Sequence, residues 1–183
     1  LIGVFLHSTF LDTLPVVLFD MDGTLCESRQ PTSSKIQYAF NQLRKHAKVG
    51  IVTGSGFQYV EEQCKNLMVN TDAKRPVFSK MCVPNDLILL PCNGTQVYTQ
   101  ACDKQWSRTY FANMHQIIDQ QWMNWLFLEI LKRQADLVAS AKLPFRPEFI
   151  QDRGSMINWS FIGRESGIDE RAAFVKFDTD RSD

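Results

Sequence analysis

Two aspartates separated by one residue follow directly on the apolar run 16–19. Such a run is typical of a buried parallel strand, and open α/β sheets place their ligands at the carboxyl ends of these strands. In extended backbone, residues i and i+2 point to the same side, so the carboxylates of Asp20 and Asp22 converge. Two such groups repel unless a proton or cation lies between them, and hard oxygen ligands favour Mg²⁺. The pattern predicts a magnesium site where one carboxylate can attack phosphorus, although Asp-Gly is also ordinary turn chemistry.

Hydroxyl and amide side chains follow the next two apolar runs. Thr53 and Ser55 come after the run 49–52, and Asn93 comes after the run 87–90. A hydroxyl and exposed backbone N–H groups at a strand end can hold a phosphate oxygen. Taken alone, each of these segments is better explained as a turn. Beside the two aspartates, Thr53 and Ser55 favour phosphate binding.

Four arginines are candidate phosphate ligands, because a guanidinium matches phosphate oxygens bidentately. Arg29 comes shortly after the aspartates, where a surface arginine is the ordinary interpretation. Arg146 and Arg153 flank a predicted strand, and Arg164 follows the next predicted strand. From the sequence alone, a solvated basic face explains these last three slightly better than a phosphate clamp.

These residues require elements that bring strand ends together. Three apolar runs alternate with two helical patterns, one beginning near Ser33 and one spanning Tyr59–Leu67. This βαβα rhythm predicts a parallel sheet with right-handed crossovers. We expect a catalytic core over residues 16–100 and leave residues 1–15 unassigned.

A second, α+β module is predicted for residues 101–183. Its elements are a ribbon strand at 106–111, a long amphipathic helix at 114–143, paired strands at 148–151 and 156–162, and a helix at 169–176 capped by Asp169.

The composition excludes several classes of function. Twenty basic and twenty acidic residues give no net charge, so a general role on nucleic acid or membrane surfaces is not predicted. Residues 1–14 are apolar but contain no Lys or Arg and are too short to span a bilayer. Five scattered cysteines without a C-x-x-C pair indicate reduced thiols and a cytoplasmic location. Cys26 lies near the aspartates but has no activating neighbour in the sequence, so it is not predicted to be a nucleophile.

The pentad at 20–24, Asp-Met-Asp-Gly-Thr, resembles the first motif of the haloacid dehalogenase (HAD) superfamily of phosphotransferases. With Ser-Arg-Gln at 28–30, Asn-Gly-Thr at 93–95, the segment 149–158 and Ile-Gly-Arg at 162–164, it resembles the eukaryotic-type phosphomannomutases. This resemblance covers nearly all of the chain after its first fifteen residues. It implies an α/β fold, a Rossmann-like parallel-sheet HAD core with an inserted α+β cap domain.

The resemblance also implies a reaction, the interconversion of mannose 6-phosphate and mannose 1-phosphate in GDP-mannose biosynthesis. Asp20 would be the nucleophile that forms an aspartyl-phosphate, and Asp22 would be the acid/base. Both would bind Mg²⁺, Asp22 through its backbone carbonyl. A hexose 1,6-bisphosphate would be activator and intermediate. A homodimer through the cap is implied as well, with Trp122 and Trp125 as candidate contacts unless they form the cap's own core. The residues that would bind the hexose phosphate are Arg29, Thr53, Ser55, Asn93, Arg146, Arg153 and Arg164.

Some positions depart from the family pattern. Thr53 and Gly56 stand where Gly and Asp are expected, and Glu27 adds a negative charge beside the catalytic loop. The family's final acidic metal-ligand motif has no counterpart after Arg164, so we expect a chain truncated at its C-terminus and weakly active or inactive by itself. Two alternatives therefore stay open, a HAD-type sugar-phosphate phosphatase and an inactive truncated fragment.

Overall fold

The computed structural model describes residues 15–68, 87–100, 105–141 and 145–180. The chain divides into two compact units, 1–112 and 113–183, and each is described by itself. Nearly all of the unassigned segment 1–15 lies outside the described residues.

The first unit is built on one five-stranded sheet whose strands are neighbours in chain order. Its first three strands are parallel, and the last two run antiparallel to their neighbours. A mixed sheet that begins with three parallel strands and is accompanied by helices confirms the predicted α/β class. The strands are β1 (Val16–Asp20), β2 (Lys48–Val52), β3 (Leu87–Leu90), β4 (Gln96–Gln100) and β5 (Trp106–Phe111).

Two helices complete the core of this unit, α1 (Ser34–Leu43) and α2 (Phe57–Met68). Ser33 caps α1, and its side-chain oxygen accepts a hydrogen bond from the backbone N–H of Ile36 at 3.3 Å. Both helices contribute to the apolar core, together with β2, β3 and the loop after β1. The buried face of α2 recurs at i, i+3, i+4, i+7 and i+8, as expected for a helix packed on one side. That face consists of Val60, Gln63, Cys64, Leu67 and Met68.

The boundary between the units falls at 112/113 rather than at residue 100. The reason is that β5 pairs with β4 over its whole length, and β4 pairs with β3. The predicted ribbon strand at 106–111 is present as β5, but it extends the core sheet instead of beginning the second module.

The second unit contains three helices and a two-stranded antiparallel sheet among its described residues. The predicted hairpin around residues 153–155 is present with shorter strands, because only three residue pairs are in register. The elements are α3 (Met114–Ile117), α4 (Gln120–Ala141), β6 (Ile150–Asp152), β7 (Ile157–Trp159) and α5 (Ile168–Asp180).

The prediction that Asp169 caps α5 is wrong. The helix begins at Ile168, so Asp169 lies inside its first turn. The residue before the helix is Gly167, and its backbone N–H donates to Oε2 of Glu170 at 2.8 Å. A side chain three residues into the helix can reach back in this way.

A buried glutamine joins α4 to the hairpin. Gln134 is 3% exposed, and its Oε1 atom accepts a hydrogen bond from Nε1 of Trp159 at 2.7 Å. Its Nε2 atom donates to the carbonyl of Phe161 at 2.8 Å. Because both ends of the amide are satisfied, burial of this polar group is tolerated. Among the described residues, we find no helix with the length and apolar character needed to cross a bilayer.

Candidate active site

Three loops that carry predicted site residues begin at one edge of the core sheet. Asp20, the last residue of β1, lies opposite Val52 in β2, and Val52 lies opposite Leu90 in β3. The loops therefore leave from adjacent parallel strand ends about 5 Å apart. This arrangement brings Asp20, Thr53 and the turn containing Asn93 to the edge where open α/β sheets bind ligands.

The loop after β1 folds tightly around the carbonyl of Met21, a residue with no exposed surface. That carbonyl accepts hydrogen bonds from the N–H groups of Leu25 at 3.0 Å and Cys26 at 3.2 Å. Gly23, whose φ of +77° is in the left-handed region, donates to the carbonyl of Cys26 at 2.8 Å. Oδ1 of Asp20 accepts the Met21 N–H at 2.8 Å. These hydrogen bonds thus fix the backbone of the loop that carries both aspartates.

The thiols near the aspartates stay protonated. Burial, and then the negative charge of Asp22, raise the pKa of the Cys26 thiol. Burial, with Cys26 next to it, raises the pKa of Cys64 from 9.0 to about 12. A thiol is a nucleophile only as its thiolate, so neither cysteine suits that role at neutral pH. Among the described residues at this edge, the exposed carboxylate of Asp20 is the better nucleophile.

The turns after β2 and β3 are hydrogen-bonded to each other. The N–H of Asn93 donates to the carbonyl of Thr53 at 2.8 Å, and the N–H of Cys92 donates to the carbonyl of Ser55 at 2.9 Å. Oγ1 of Thr53 accepts the N–H of Ser55 at 3.1 Å, and Thr53 is only 3% exposed. Thr53 therefore shapes the turn, whereas Ser55 is half-buried and Asn93 is exposed.

The turn after β3 has an unusual backbone. Cys92, Asn93 and Gly94 have φ values of 53°, 58° and 81°, three consecutive residues in the left-handed region. Non-glycine residues there cost about 1–3 kcal/mol each and persist where the surrounding structure requires them. The segment is therefore more strained than the simple Asn-Gly turn that its sequence suggests. Backbone strain of this kind is typical of functional sites.

Arg29 lies on the exposed part of the loop that leads to α1, with a left-handed φ of 62°. Its backbone N–H donates to Oε1 of Gln63 at 3.0 Å. Cys26 donates to the same oxygen at 3.5 Å, and the N–H of Thr32 donates to the Gln63 carbonyl at 3.0 Å. Gln63 was not among the site residues predicted from the sequence. The available signal was its place in the apolar stripe of α2, where a glutamine is unexpected.

An open cleft of about 500 Å³ runs along this loop and the start of α1. Gly23, Thr24, Glu27 and Ser33 are among its lining residues. The negative charge of Glu27 would therefore repel an anionic ligand in this cleft.

In the second unit, the backbone brings Arg146 and Arg164 to the open end of the hairpin. The N–H of Arg146 donates to the carbonyl of Ile162 at 3.0 Å, and the N–H of Arg164 donates to that of Glu148 at 2.7 Å. The guanidinium of Arg146 forms a two-point ion pair with Glu170, from Nη2 at 2.7 Å and Nε at 3.1 Å to the same oxygen. The pair raises the pKa of Arg146 and lowers that of Glu170.

Arg153 lies at the other end of the hairpin, in the turn. Its N–H donates to the carbonyl of Met156 at 3.0 Å, and its Nη2 atom donates to Oε1 of Gln151 at 3.1 Å. Next to it, Nε2 of His115 contacts Oδ2 of Asp152 at 2.6 Å. The three predicted arginines of this unit are thus divided between the two ends of the hairpin.

The expected donors for a metal are the Asp20 carboxylate and the backbone carbonyl of Asp22. No group of three or more His, Cys, Asp and Glu residues suited to a metal occurs in the part of the chain that the structure describes. Asp20 and Asp22 nevertheless fit Mg²⁺, which is commonly bound by one or two carboxylates and completes its shell with water and phosphate oxygens.

Known proteins resemble this chain in sequence. The curated relatives include the phosphomannomutase of Schizosaccharomyces pombe, 29% identical over 171 residues, which cover 91% of this chain and 57% of the relative. The phosphomannomutase of Oryza sativa subsp. indica is 31% identical over 164 residues, 89% of this chain and 57% of the relative. The chain thus spans a little over half the length of these relatives.

Solved structures show the same fold. The N-terminally truncated IMP-nucleotidase of Plasmodium falciparum aligns with a TM-score of 0.56 at 13% identity, over 91% of this chain and 47% of that one. Its likeness supports the α/β fold and nothing more specific. The model of the eukaryotic phosphomannomutase family matches residues 36–182, a range that begins after the paired aspartates. Because this match covers well over half of the sequence, the chain belongs to the eukaryotic phosphomannomutase family.

Proposed function

We propose that the protein to which this chain belongs interconverts mannose 6-phosphate and mannose 1-phosphate through an aspartyl-phosphate, with a hexose 1,6-bisphosphate as activator. Family membership supports the reaction class. The observation that carries the proposal for this chain is the convergence of Asp20, Ser55 and Asn93 at one edge of the parallel sheet. An anionic nucleophile and groups suited to phosphate oxygens then share one site.

In this proposal, a carboxylate oxygen of Asp20 bonds to phosphorus while the bond from phosphorus to the sugar oxygen breaks. Asp22 gives its proton to the departing sugar oxygen and later removes one from the hydroxyl that receives the phosphoryl group. Mg²⁺ held by the Asp20 carboxylate and the backbone carbonyl of Asp22 would offset the repulsion between the nucleophile and the phosphate, so that the Asp22 carboxyl can carry a proton. The tight loop around Met21 supports these roles, because its hydrogen bonds fix the backbone of the segment that carries both aspartates.

The remaining substrate contacts are assigned by position. Ser55, Asn93 and the better-buried Thr53 would bind the reacting phosphate, since their turns lie beside Asp20. Arg29 would bind substrate near the core. In the second unit, we propose Arg146 and Arg164, at one end of the hairpin, and Arg153, at the other end, as alternative ligands of the phosphate remote from the chemistry.

A sugar-phosphate phosphatase of the same superfamily is the second candidate. Its chemistry needs the same two aspartates, but water accepts the phosphoryl group. The ion pair between Arg146 and Glu170 favours this alternative, because an arginine already bound to a carboxylate is less available to hold a remote phosphate. A mutase must bind this remote phosphate so that its bisphosphate intermediate can reorient in the site.

Product analysis separates the two reactions. The chain would be incubated with mannose 1-phosphate and Mg²⁺, with and without glucose 1,6-bisphosphate, while mannose 6-phosphate and free phosphate are both measured. The proposal predicts primer-dependent mannose 6-phosphate, whereas primer-independent free phosphate identifies a phosphatase. Asp20→Asn should abolish either product, and Asp136→Asn, an exposed carboxylate on α4, should not. No product from the native chain, under conditions where a longer family member is active, contradicts both reactions for this chain and leaves the third alternative, an inactive fragment.

We also propose a homodimer through α4 and a cytoplasmic location. Trp122 and Trp125 are 64% and 53% exposed and form an edge-to-face pair at 5.8 Å, although their sequence pattern also fits a role in the core of the unit. Exposed aromatic pairs of this kind are typical of interfaces. The free thiols of Cys26, Cys64 and Cys92 suit a reducing compartment. Sedimentation velocity of the chain and of Trp125→Asp tests the dimer.

A further inference from the structure

We propose that Gln63 is a positioning residue for Arg29 and sets how this arginine meets the substrate phosphate. The proposal rests on the phosphate-binding role given to Arg29 above. Gln63 lies on α2, far from Arg29 in sequence, and would act only through the loop that it holds.

The contacts of Gln63 go to the loop rather than to its own helix. The side chain is on the buried face of α2, and the residue is 7% exposed. Its Oε1 atom accepts the backbone N–H of Arg29 at 3.0 Å and lies 3.5 Å from Sγ of Cys26. A buried amide in an apolar stripe is costly unless it is hydrogen-bonded, so these contacts account for the burial of Gln63.

The hydrogen bond is made at a strained position. Arg29 has a φ of 62°, and a left-handed non-glycine residue costs about 1–3 kcal/mol unless neighbouring structure maintains it. Without the Gln63 acceptor, the backbone can relax to right-handed φ values, which turns the Cα–Cβ bond of Arg29 in another direction. The guanidinium would then leave the position that the strained backbone gives it.

A second contact joins the end of the same loop to α2. The N–H of Thr32 donates to the backbone carbonyl of Gln63 at 3.0 Å. This contact does not depend on the side chain, so it should persist when Gln63 is substituted. The start of α2 follows directly on the turn that holds Thr53 and Ser55. Gln63 therefore connects the proposed phosphate turn with the loop of Arg29.

The test compares variants that keep the volume of the side chain. Gln63→Met removes the acceptor at nearly constant shape, Gln63→Glu keeps an acceptor oxygen, and Gln58→Met is the control on the exposed side of α2. Calorimetric titration with mannose 1-phosphate should show about tenfold weaker binding for Gln63→Met, the size expected for one lost hydrogen bond. Gln63→Glu should bind more tightly than Gln63→Met, and Gln58→Met should match the native chain. Equal affinities of Gln63→Met and Gln58→Met would overturn the proposal.

A double-mutant cycle separates positioning from general destabilisation. If Gln63 acts through Arg29, then Gln63→Met should weaken binding no further in an Arg29→Ala background. Equal losses in the two backgrounds would show a role unconnected with Arg29 and would overturn the proposal.

Hydrogen exchange keeps this inference separate from the proposed function. Should the native chain bind no mannose 1-phosphate, the assignment of function fails for this chain. The amide of Arg29 can still be followed by NMR, and positioning predicts that its exchange accelerates at least tenfold in Gln63→Met while β2 amides are unchanged. Unchanged protection of the Arg29 amide contradicts the inference whatever the binding result.

Discussion

Replacement of Gly163 by alanine should damage the second unit far more than its size suggests. Gly163 precedes Arg164 and has a φ of +86°, a conformation that side chains rarely adopt. A Cβ atom built there would lie 2.4 Å from the carbonyl oxygen and 2.6 Å from the Cβ atom of Arg146. Because the carbonyl oxygen is backbone, it cannot move without shifting the segment.

The magnitude follows from two separate costs. A left-handed alanine costs about 1–2 kcal/mol. Forcing extra volume into a packed position costs about 1–3 kcal/mol. The free energy of unfolding should therefore fall by about 2–5 kcal/mol in Gly163→Ala, a large part of the usual stability of a domain. The affinity for mannose 1-phosphate should also fall, since both Arg146 and Arg164 adjoin the clash.

Urea unfolding followed by far-ultraviolet circular dichroism measures this effect. Gly167→Ala is the matched control, because its Cβ atom would meet only Oε2 of Glu170, at 3.9 Å, and its φ is not in the left-handed region. The control should be within about 0.5 kcal/mol of the native chain. If Gly163→Ala is as stable as Gly167→Ala, the close approach of Gly163 to Arg146 is not present in the folded protein.

Three further predictions concern single groups. Ser33→Ala should lower the free energy of unfolding by about 1 kcal/mol through loss of the α1 cap, and Ser34→Ala should not; equal values would contradict the cap. The unfolded chain releases the Cys64 proton near its ordinary pKa of 9.0, but the folded chain releases it near 12, so stability should fall as the pH rises from about 9 to about 12. Cys64→Ala should flatten this slope in urea titrations, and an unchanged slope would show that the thiol is not responsible. Glu170→Gln should free Arg146 and tighten binding of inorganic phosphate in calorimetry; unchanged affinity would mean that Arg146 is structural.

The elements that the sequence predicts correctly are those with local signals. The apolar run before Asp20 forms β1, and Ser33 caps α1, because burial of a strand and capping of a helix depend on adjacent residues. The convergence of Asp20 with the turns at 53–55 and 91–94 also follows, since parallel strands present their carboxyl ends at one edge. Predicted geometry at the site is therefore reliable where it depends on strand polarity.

Long-range contacts account for what the sequence leaves undetermined. Arg44, directly after the end of α1, is only 3% exposed, and its Nη1 atom donates to the carbonyl of Leu67 at 3.0 Å. Nothing near Arg44 in sequence specifies that partner. The same holds for Gln63, whose acceptor role depends on a loop more than thirty residues earlier. The pairing of Arg146 with Glu170 likewise joins residues that are distant in sequence, so no local pattern predicts it.

The central claim is that a carboxylate oxygen of Asp20 captures the phosphoryl group. It is tested most directly by incubating the chain with a ³²P-labelled hexose 1,6-bisphosphate and Mg²⁺, quenching with acid, and locating the label by peptide mapping. We predict label on the peptide that contains Asp20, released by hydroxylamine as expected for an acyl phosphate, present in Asp136→Asn and absent from Asp20→Asn. Label that remains in Asp20→Asn, or a native chain that takes up none, would contradict the claim for this chain.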